Sequence, residues 1–121
     1  MKPALILFAH GAREAAWAGP FEALEARVRA LSPDTPVRLA FLELMKPDLG
    51  SAVAEIVAAG AGAVRIVPVF FGQGGHLRQD LPAMVAALRQ QHPGTRFECA
   101  APVGEDAGVL DAIAAYCIRQ L

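Results

Sequence analysis

Two histidines and a glutamate are the residues in this chain best suited to chemistry. They are His10 in Phe8-Ala9-His10-Gly11-Ala12-Arg13, Glu43 at the end of Ala40-Phe41-Leu42, and His76 behind Gly72-Gln73-Gly74-Gly75. Two imidazoles with one carboxylate suit a borderline divalent transition metal such as Co²⁺, Fe²⁺, Ni²⁺ or Zn²⁺, and suit Mg²⁺ poorly. So few protein ligands leave coordination positions open, as a catalytic or transfer site requires. Imidazoles bind metal only when neutral, so occupancy should fall as the solution is acidified. Arg13, Lys46 and Arg78 follow the same segments and could meet an anionic ligand. Each residue also has a plainer reading: a hydrogen-bonded loop histidine at His10, a turn residue at His76, a cap at Glu43, solvated charges at the arginines. His92, before Pro93-Gly94, reads as a surface residue that complements a helix dipole. The run Gly72-Gln73-Gly74-Gly75-His76 is neither a dinucleotide fingerprint nor a P-loop, because the GxGxxG spacing and a following Gly-Lys-Ser/Thr are both missing. Its glycines imply positive φ or a close approach to the backbone.

The elements that must position these residues alternate along the chain. Pro3–Ala9 is a short continuous apolar run, as expected of a strand covered on both faces. Trp17, Phe21, Leu24, Val28 and Leu31 fall at helical spacing, with Pro20 in the first turn and both aromatics in the core. Ser32–Pro36 breaks the chain, and Val37–Leu42 reads as a second strand. Pro47-Asp48 opens a helix with Leu49, Val53, Ile56 and Val57 on its apolar face. Val64–Phe71 is the third strand, in which Pro68 suggests a bulge or a break in pairing. Asp80 and Pro82 read as the N-terminal region of a third helix carrying Leu81, Met84, Val85 and Leu88. Arg96–Ala101 is the fourth strand, and Val109–Leu121 a last helix with Leu110, Ile113, Cys117 and Ile118 inward.

The order βαβαβαβα predicts an α/β domain spanning residues 1–121, a four-stranded parallel sheet with helices on both faces. Ligands of such sheets bind outside the carboxyl ends of the strands, near the point where strand order reverses. With order 2-1-3-4, the first and third strands are neighbours there, and His10 and His76 face each other across the crevice.

Composition narrows the function. The chain has 121 residues, 55% of them hydrophobic, and a formal net charge of −1. That is one domain with one core. The balance supplies no basic field for nucleic acid or an anionic membrane surface. No apolar run approaches the ~20 residues of a membrane span, and no secretory signal is evident. Cys99 and Cys117 form no metal or disulfide pattern and read as buried small hydrophobes in a reducing cytoplasm.

Leu5–Arg13, Ala40–Leu44 and Val67–Phe71 leading to Gly75-His76 with Asp80 and Pro82 together resemble the small CbiX-type chelatases. These are single-domain sirohydrochlorin cobaltochelatases, related to siroheme ferrochelatases and an archaeal nickel chelatase. The resemblance spans nearly the whole chain. It implies a flavodoxin-like, three-layer chelatase fold. It also implies insertion of a divalent metal, Co²⁺ first and Fe²⁺ or Ni²⁺ as alternatives, into sirohydrochlorin on the way to cobalamin or siroheme. The metal is a substrate, and no organic cofactor is implied. His10 and His76 match the family's metal-binding histidines, and Glu43 sits at a position that is commonly acidic. Larger relatives carry two such domains, so a homodimer is expected. Where the family commonly has HGSR, this chain has Ala12, without the hydroxyl that could bond a substrate carboxylate.

The expected roles follow. His10 and His76 hold the ion and release it to the ring, and Glu43 takes a pyrrole proton. Arg13, Lys46 and Arg78 meet the substrate's carboxylates, while Gly74 and Gly75 let a flat ring lie close to the backbone. One other enzyme class, a binding role and a plain interaction domain compete. A histidine phosphatase needs a cation just before the nucleophile, and Ala9 stands there. A protein that binds tetrapyrrole or metal without catalysis would show uptake and no rate gain. A plain interaction domain would show neither.

Overall fold

In a computed structural model that describes residues 3–121, with His76 described by its backbone alone, the short apolar runs become strands and the helically spaced stretches become helices. In chain order the elements are β1 (Ala4–Ala9), α1 (Gly19–Leu31), β2 (Val37–Phe41), α2 (Leu49–Ala58), β3 (Ala63–Pro68), α3 (Gly75–Gln91), β4 (Arg96–Cys99) and α4 (Ala107–Ile118). Two 3-10 turns lie at Ala15–Ala18 and Val103–Glu105. The strands pair in parallel in the order β2-β1-β3-β4, so the expected adjacency of β1 and β3 holds.

β1 is a continuous apolar run because both of its sides meet hydrophobic layers. Ile6 and Phe8 point to one face, where Val53 and Ile56 of α2 and Leu81, Val85 and Leu88 of α3 cover them. Leu7 and Ala9 point to the other, with Leu39 and Phe41, under Trp17 and the α1 residues Phe21, Leu24 and Val28. The Trp17 and Phe21 rings lie 4.5 Å apart on that core, as expected of packing residues. Among the described residues, no helix is long and apolar enough to cross a membrane.

Several boundaries differ from the sequence reading, each for a local reason. β3 ends at Pro68 rather than Phe71; Pro68 lies opposite Phe8 as the last paired residue of the ladder, and after one more bond from Val69 the chain leaves the sheet. Pro68 therefore terminates a strand and causes no bulge within it. β2 stops at Phe41 rather than Leu42, and β4 at Cys99 rather than Ala101. α3 starts at Gly75, not near Asp80, with Gly74 as its N-cap and the Arg78 N–H bonded to the Gly74 carbonyl at 3.1 Å. Pro82 is thus inside the helix, which continues because Leu81, Val85 and Leu88 are buried on the sheet.

The largest correction concerns the last helix. Leu110, Ile113, Cys117 and Ile118 do not point inward; all are exposed, and no residue of α4 is buried. The helix follows directly on the turn at Val103–Glu105. Cys99 is exposed as well, although crowding of its sulfur pushes the thiol pKa up by desolvation.

Candidate functional site

The carboxyl ends of β1 and β2 are stitched together by backbone. The Leu42 N–H donates to the Ala9 carbonyl at 2.9 Å and the Glu43 N–H to the His10 carbonyl at 3.1 Å. These bonds hold the two segments together just past the end of β2 and bring two side chains side by side. His10 Nε2 lies 3.3 Å from Glu43 Oε1, with the side chains 52% and 56% exposed. A pair so open to water contributes little to stability, roughly 0–1 kcal/mol, so its placement calls for a functional reading. The His10 ring also stands edge-on to Phe70 at 6.4 Å, and Phe70 packs edge-on against buried Phe8 at 6.3 Å. An aromatic stack rooted in the core thus orients the exposed imidazole.

Gly11 makes the stitch possible. Its φ is +100°, and a Cβ there would overlap the Glu43 carbonyl oxygen. Past Glu43 the chain makes a tight turn. The Met45 N–H donates to the Glu43 carbonyl at 2.8 Å, and Leu44 has a φ of +66°. A left-handed leucine costs about 1–2 kcal/mol, and such residues cluster at working sites. The turn projects Leu44 outward, 63% exposed. The far end of the loop is fixed by Asp48, whose Oδ1 accepts the Ser51 N–H at 2.8 Å and caps α2. Hydrogen bonds from Ser51, with the Lys46 charge adding, hold the Asp48 carboxyl below the usual carboxylate range.

On the other side of β1, the Val69 N–H donates to the Phe8 carbonyl at 2.8 Å, and the chain then leaves the sheet through Phe70 and Phe71. Phe71 is 66% exposed. In the glycine run that follows, the positive φ expected as one option is absent, and no protein group approaches the backbone closely. Gly72, Gly74 and Gly75 have no positive φ, and a Cβ at any of them would meet open space. Their contribution is an unobstructed surface in front of the α3 N-terminus, whose first-turn N–H groups have no partner within the helix.

The site residues expected from sequence are distributed unevenly. His10 and Glu43 are brought together. His76 is the second residue of α3, directly after the glycine run that follows β3, and its side chain lies outside the described residues. Its pairing with His10 across the crevice is therefore not tested. Arg13 is exposed, three residues beyond His10. Arg78 turns back on the glycine loop, with Nε donating to the Gln73 carbonyl at 3.4 Å. Lys46 lines a different groove of about 800 Å³, shared with Glu22, Arg38, Asp48 and Glu55; neither His10 nor Glu43 borders it. Among the described residues, no three His, Cys, Asp or Glu side chains gather as a metal set, so the described donors are the His10–Glu43 pair.

Sequence reasoning missed Leu44 and Phe71, the exposed apolar residues that flank the pair. Phe71 was hidden in an apolar run that reads as strand, and Leu44 carries no local signal. Chemically, the edge offers one imidazole, one carboxylate, flanking apolar groups and a row of backbone donors. That set can hold a soft cation, accept a proton and lie against a flat anionic ligand.

Comparison with known proteins places this geometry. The family model described as CbiX matches residues 4–119. A solved CbiX protein from Marinobacter aquaeolei VT8 superposes with a TM-score of 0.85 at 32% identity, covering 98% of this chain and 97% of that one. The sirohydrochlorin ferrochelatase of Bacillus subtilis is 26% identical over 118 residues, 93% of this chain and 43% of its own length. A sirohydrochlorin cobaltochelatase of Saccharolobus islandicus is 33% identical over 76 residues, 58% of this chain and 59% of its own. The matched stretch covers less than two thirds of either curated relative.

Proposed function

The chain belongs to the CbiX family, and on that premise we propose that it inserts a divalent metal, Co²⁺ first, into sirohydrochlorin. The observation that carries this reading is the solvent-facing His10–Glu43 pair at the carboxyl edge, oriented by Phe70 and open to a large ligand. Fe²⁺ and Ni²⁺ are the alternative metals: the similar proteins include both a ferrochelatase and a cobaltochelatase, and imidazole with carboxylate accepts all three.

In the proposed reaction the ring loses two pyrrole N–H protons as it gains the metal. The His10 imidazole, joined by that of His76, holds the ion on the ring's face and releases it as the ring nitrogens take over. Glu43 takes the first proton from the ring, passes it across its 3.3 Å contact to His10 Nε2 once the imidazole is free of the ion, and then takes the second. The α3 N-terminus and Arg78 face the substrate's peripheral carboxylates, with Arg13 on the opposite flank. Gly74 and Gly75 leave room for the ring to approach the backbone. Lys46, which lines the groove outside β2, contributes to the field rather than to contact.

We also read the working unit as a pair of chains. One 121-residue domain encloses little of a tetrapyrrole, and the chain covers 43% of the Bacillus subtilis relative. A non-catalytic role in binding tetrapyrrole or metal remains the second reading, favoured by Ala12, which offers the substrate no hydroxyl. Anaerobic mixing of the protein with sirohydrochlorin and Co²⁺, Fe²⁺ or Ni²⁺, followed by absorbance, separates the two. The chelatase reading expects a rate well above the uncatalysed insertion for at least one metal. Binding with no rate gain for any metal supports the second reading.

A further inference from the structure

β2 is an edge strand, and an edge with free backbone groups is a template for another segment to pair with. Most of this edge is closed. The Leu5 N–H donates to the Pro36 carbonyl and the Leu42 N–H to the Ala9 carbonyl, a register in which Arg38 and Ala40 turn their backbone groups to β1. Val37, Leu39 and Phe41 turn theirs outward. At one end the Phe41 N–H donates to the Pro47 carbonyl at 2.9 Å, within an isolated parallel bridge between Phe41 and Asp48. At the other, the Arg29 guanidinium donates to the Val37 carbonyl at 2.7 Å. Leu39 stands between them, and its outward N–H and carbonyl have no partner among the described residues.

This open stretch is the floor of the groove of about 800 Å³ outside β2. α1 forms one wall with Glu22 and Glu25, α2 forms the other with Glu55, and the loop from Met45 to Asp48 closes one end. Four carboxylates, counting Asp48, line the groove against the two cations Arg38 and Lys46. Arg29 holds Glu25 at 3.0 Å and Arg38 holds Glu55 at 3.3 Å. Both pairs reach solvent and exchange partners at little cost. Glu22 makes no ion pair among the described residues.

We propose that the open edge at Leu39 docks a short extended peptide rich in lysine or arginine, which joins the sheet beside β2. In an antiparallel pair one residue exchanges both backbone bonds with the residue opposite, so a single guest residue satisfies Leu39. Its side chain leans to the α1 side, as that of Leu39 does, and meets Glu22. The guest residues before and after it lean to the α2 side and meet Glu55. The blocked ends keep the guest short, the backbone sets its register, and the carboxylates choose its side chains. A second copy's β2 would bring its own acidic walls against these and is disfavoured. Neither His10 nor Glu43 borders the groove, so the proposal stands apart from the metal-insertion reading.

The test is an NMR titration of the isotope-labelled full chain with a blocked Thr-Lys-Lys-Lys-Thr peptide, at about 150 mM NaCl to screen long-range attraction. The proposal expects saturable binding with a Kd of about 1 mM or tighter, with the Leu39 amide among the most shifted resonances. The same peptide methylated on its lysine backbone nitrogens keeps its charge and loses its donors, and should bind at least about tenfold more weakly. The glutamate analogue should weaken likewise. So should the lysine peptide against Glu22→Lys/Glu55→Lys, which alters exposed positions and should keep its circular dichroism. No saturable shift at Leu39 would overturn the proposal. Equal affinity for the methylated peptide would overturn strand addition, and equal affinity for the glutamate analogue or in the folded double variant would overturn the choice of a basic guest.

Discussion

At the scale of single residues, the site depends on backbone contacts that hold two exposed side chains in register. Gly11→Ala would drive a Cβ into the Glu43 carbonyl at a φ of +100°. It should lower unfolding free energy by at least about 2 kcal/mol, read from urea denaturation. Glu43→Gln keeps the size of the side chain and removes its role as a proton acceptor. Insertion should slow by roughly 10²-fold at saturating sirohydrochlorin, with metal binding largely kept. Equal rates for Glu43→Gln and the unaltered protein would move the base elsewhere. His10 and Glu43 were legible from residue type and topology, because both follow apolar runs that end at the same edge. Their 3.3 Å contact was not, since it depends on the stitch past the strands and on Gly11. Leu44 was invisible, because a left-handed leucine has no sequence signature.

At the scale of elements, hydrophobic period and breakers located every strand and helix, and errors fell where proline or glycine has more than one use. Pro68 ends β3, and Pro82 sits inside α3 rather than opening it. Burial of Leu81, Val85 and Leu88 outweighs the missing N–H at Pro82. Pro82→Ala should therefore raise stability by about 1–3 kcal/mol without changing the fold, read as a higher urea midpoint at constant slope. The Asp48 cap gives a pH-dependent prediction. Its carboxyl sits below the usual carboxylate range in the folded chain, so its contribution is present above the unfolded-state value and is lost as pH falls through the folded one. Asp48→Ala should cost about 1 kcal/mol at pH 7, and the gap to the unaltered protein should shrink toward pH 3. A gap that stays constant across that range would show that ionisation of Asp48 does not contribute.

At the scale of the whole molecule, the alternation of apolar runs and helical patterns predicted a parallel α/β sheet, and the strands pair in the expected order β2-β1-β3-β4. The misplaced α4 shows what the period of a sequence leaves open. The spacing of Leu110, Ile113 and Cys117 says that the helix has an apolar side, but not whether that side meets its own sheet or another chain's. Near-neutral charge acts at the same scale: with a net charge of −1 the chain has no global attraction for an acidic macrocycle, so binding must come from placed donors at one edge. Affinity for sirohydrochlorin should accordingly depend only weakly on salt, losing less than about tenfold between 50 and 500 mM NaCl in a fluorescence titration.

The central claim is that His10 and His76 hand a metal ion to a tetrapyrrole at this edge. Anaerobic Co²⁺ insertion into sirohydrochlorin, followed by absorbance for the unaltered protein, His10→Ala and His76→Ala, tests it most directly. The account predicts a clear rate enhancement for the unaltered protein and its loss in each variant, with circular dichroism and the thermal midpoint unchanged. Full insertion rates in both folded variants would contradict it.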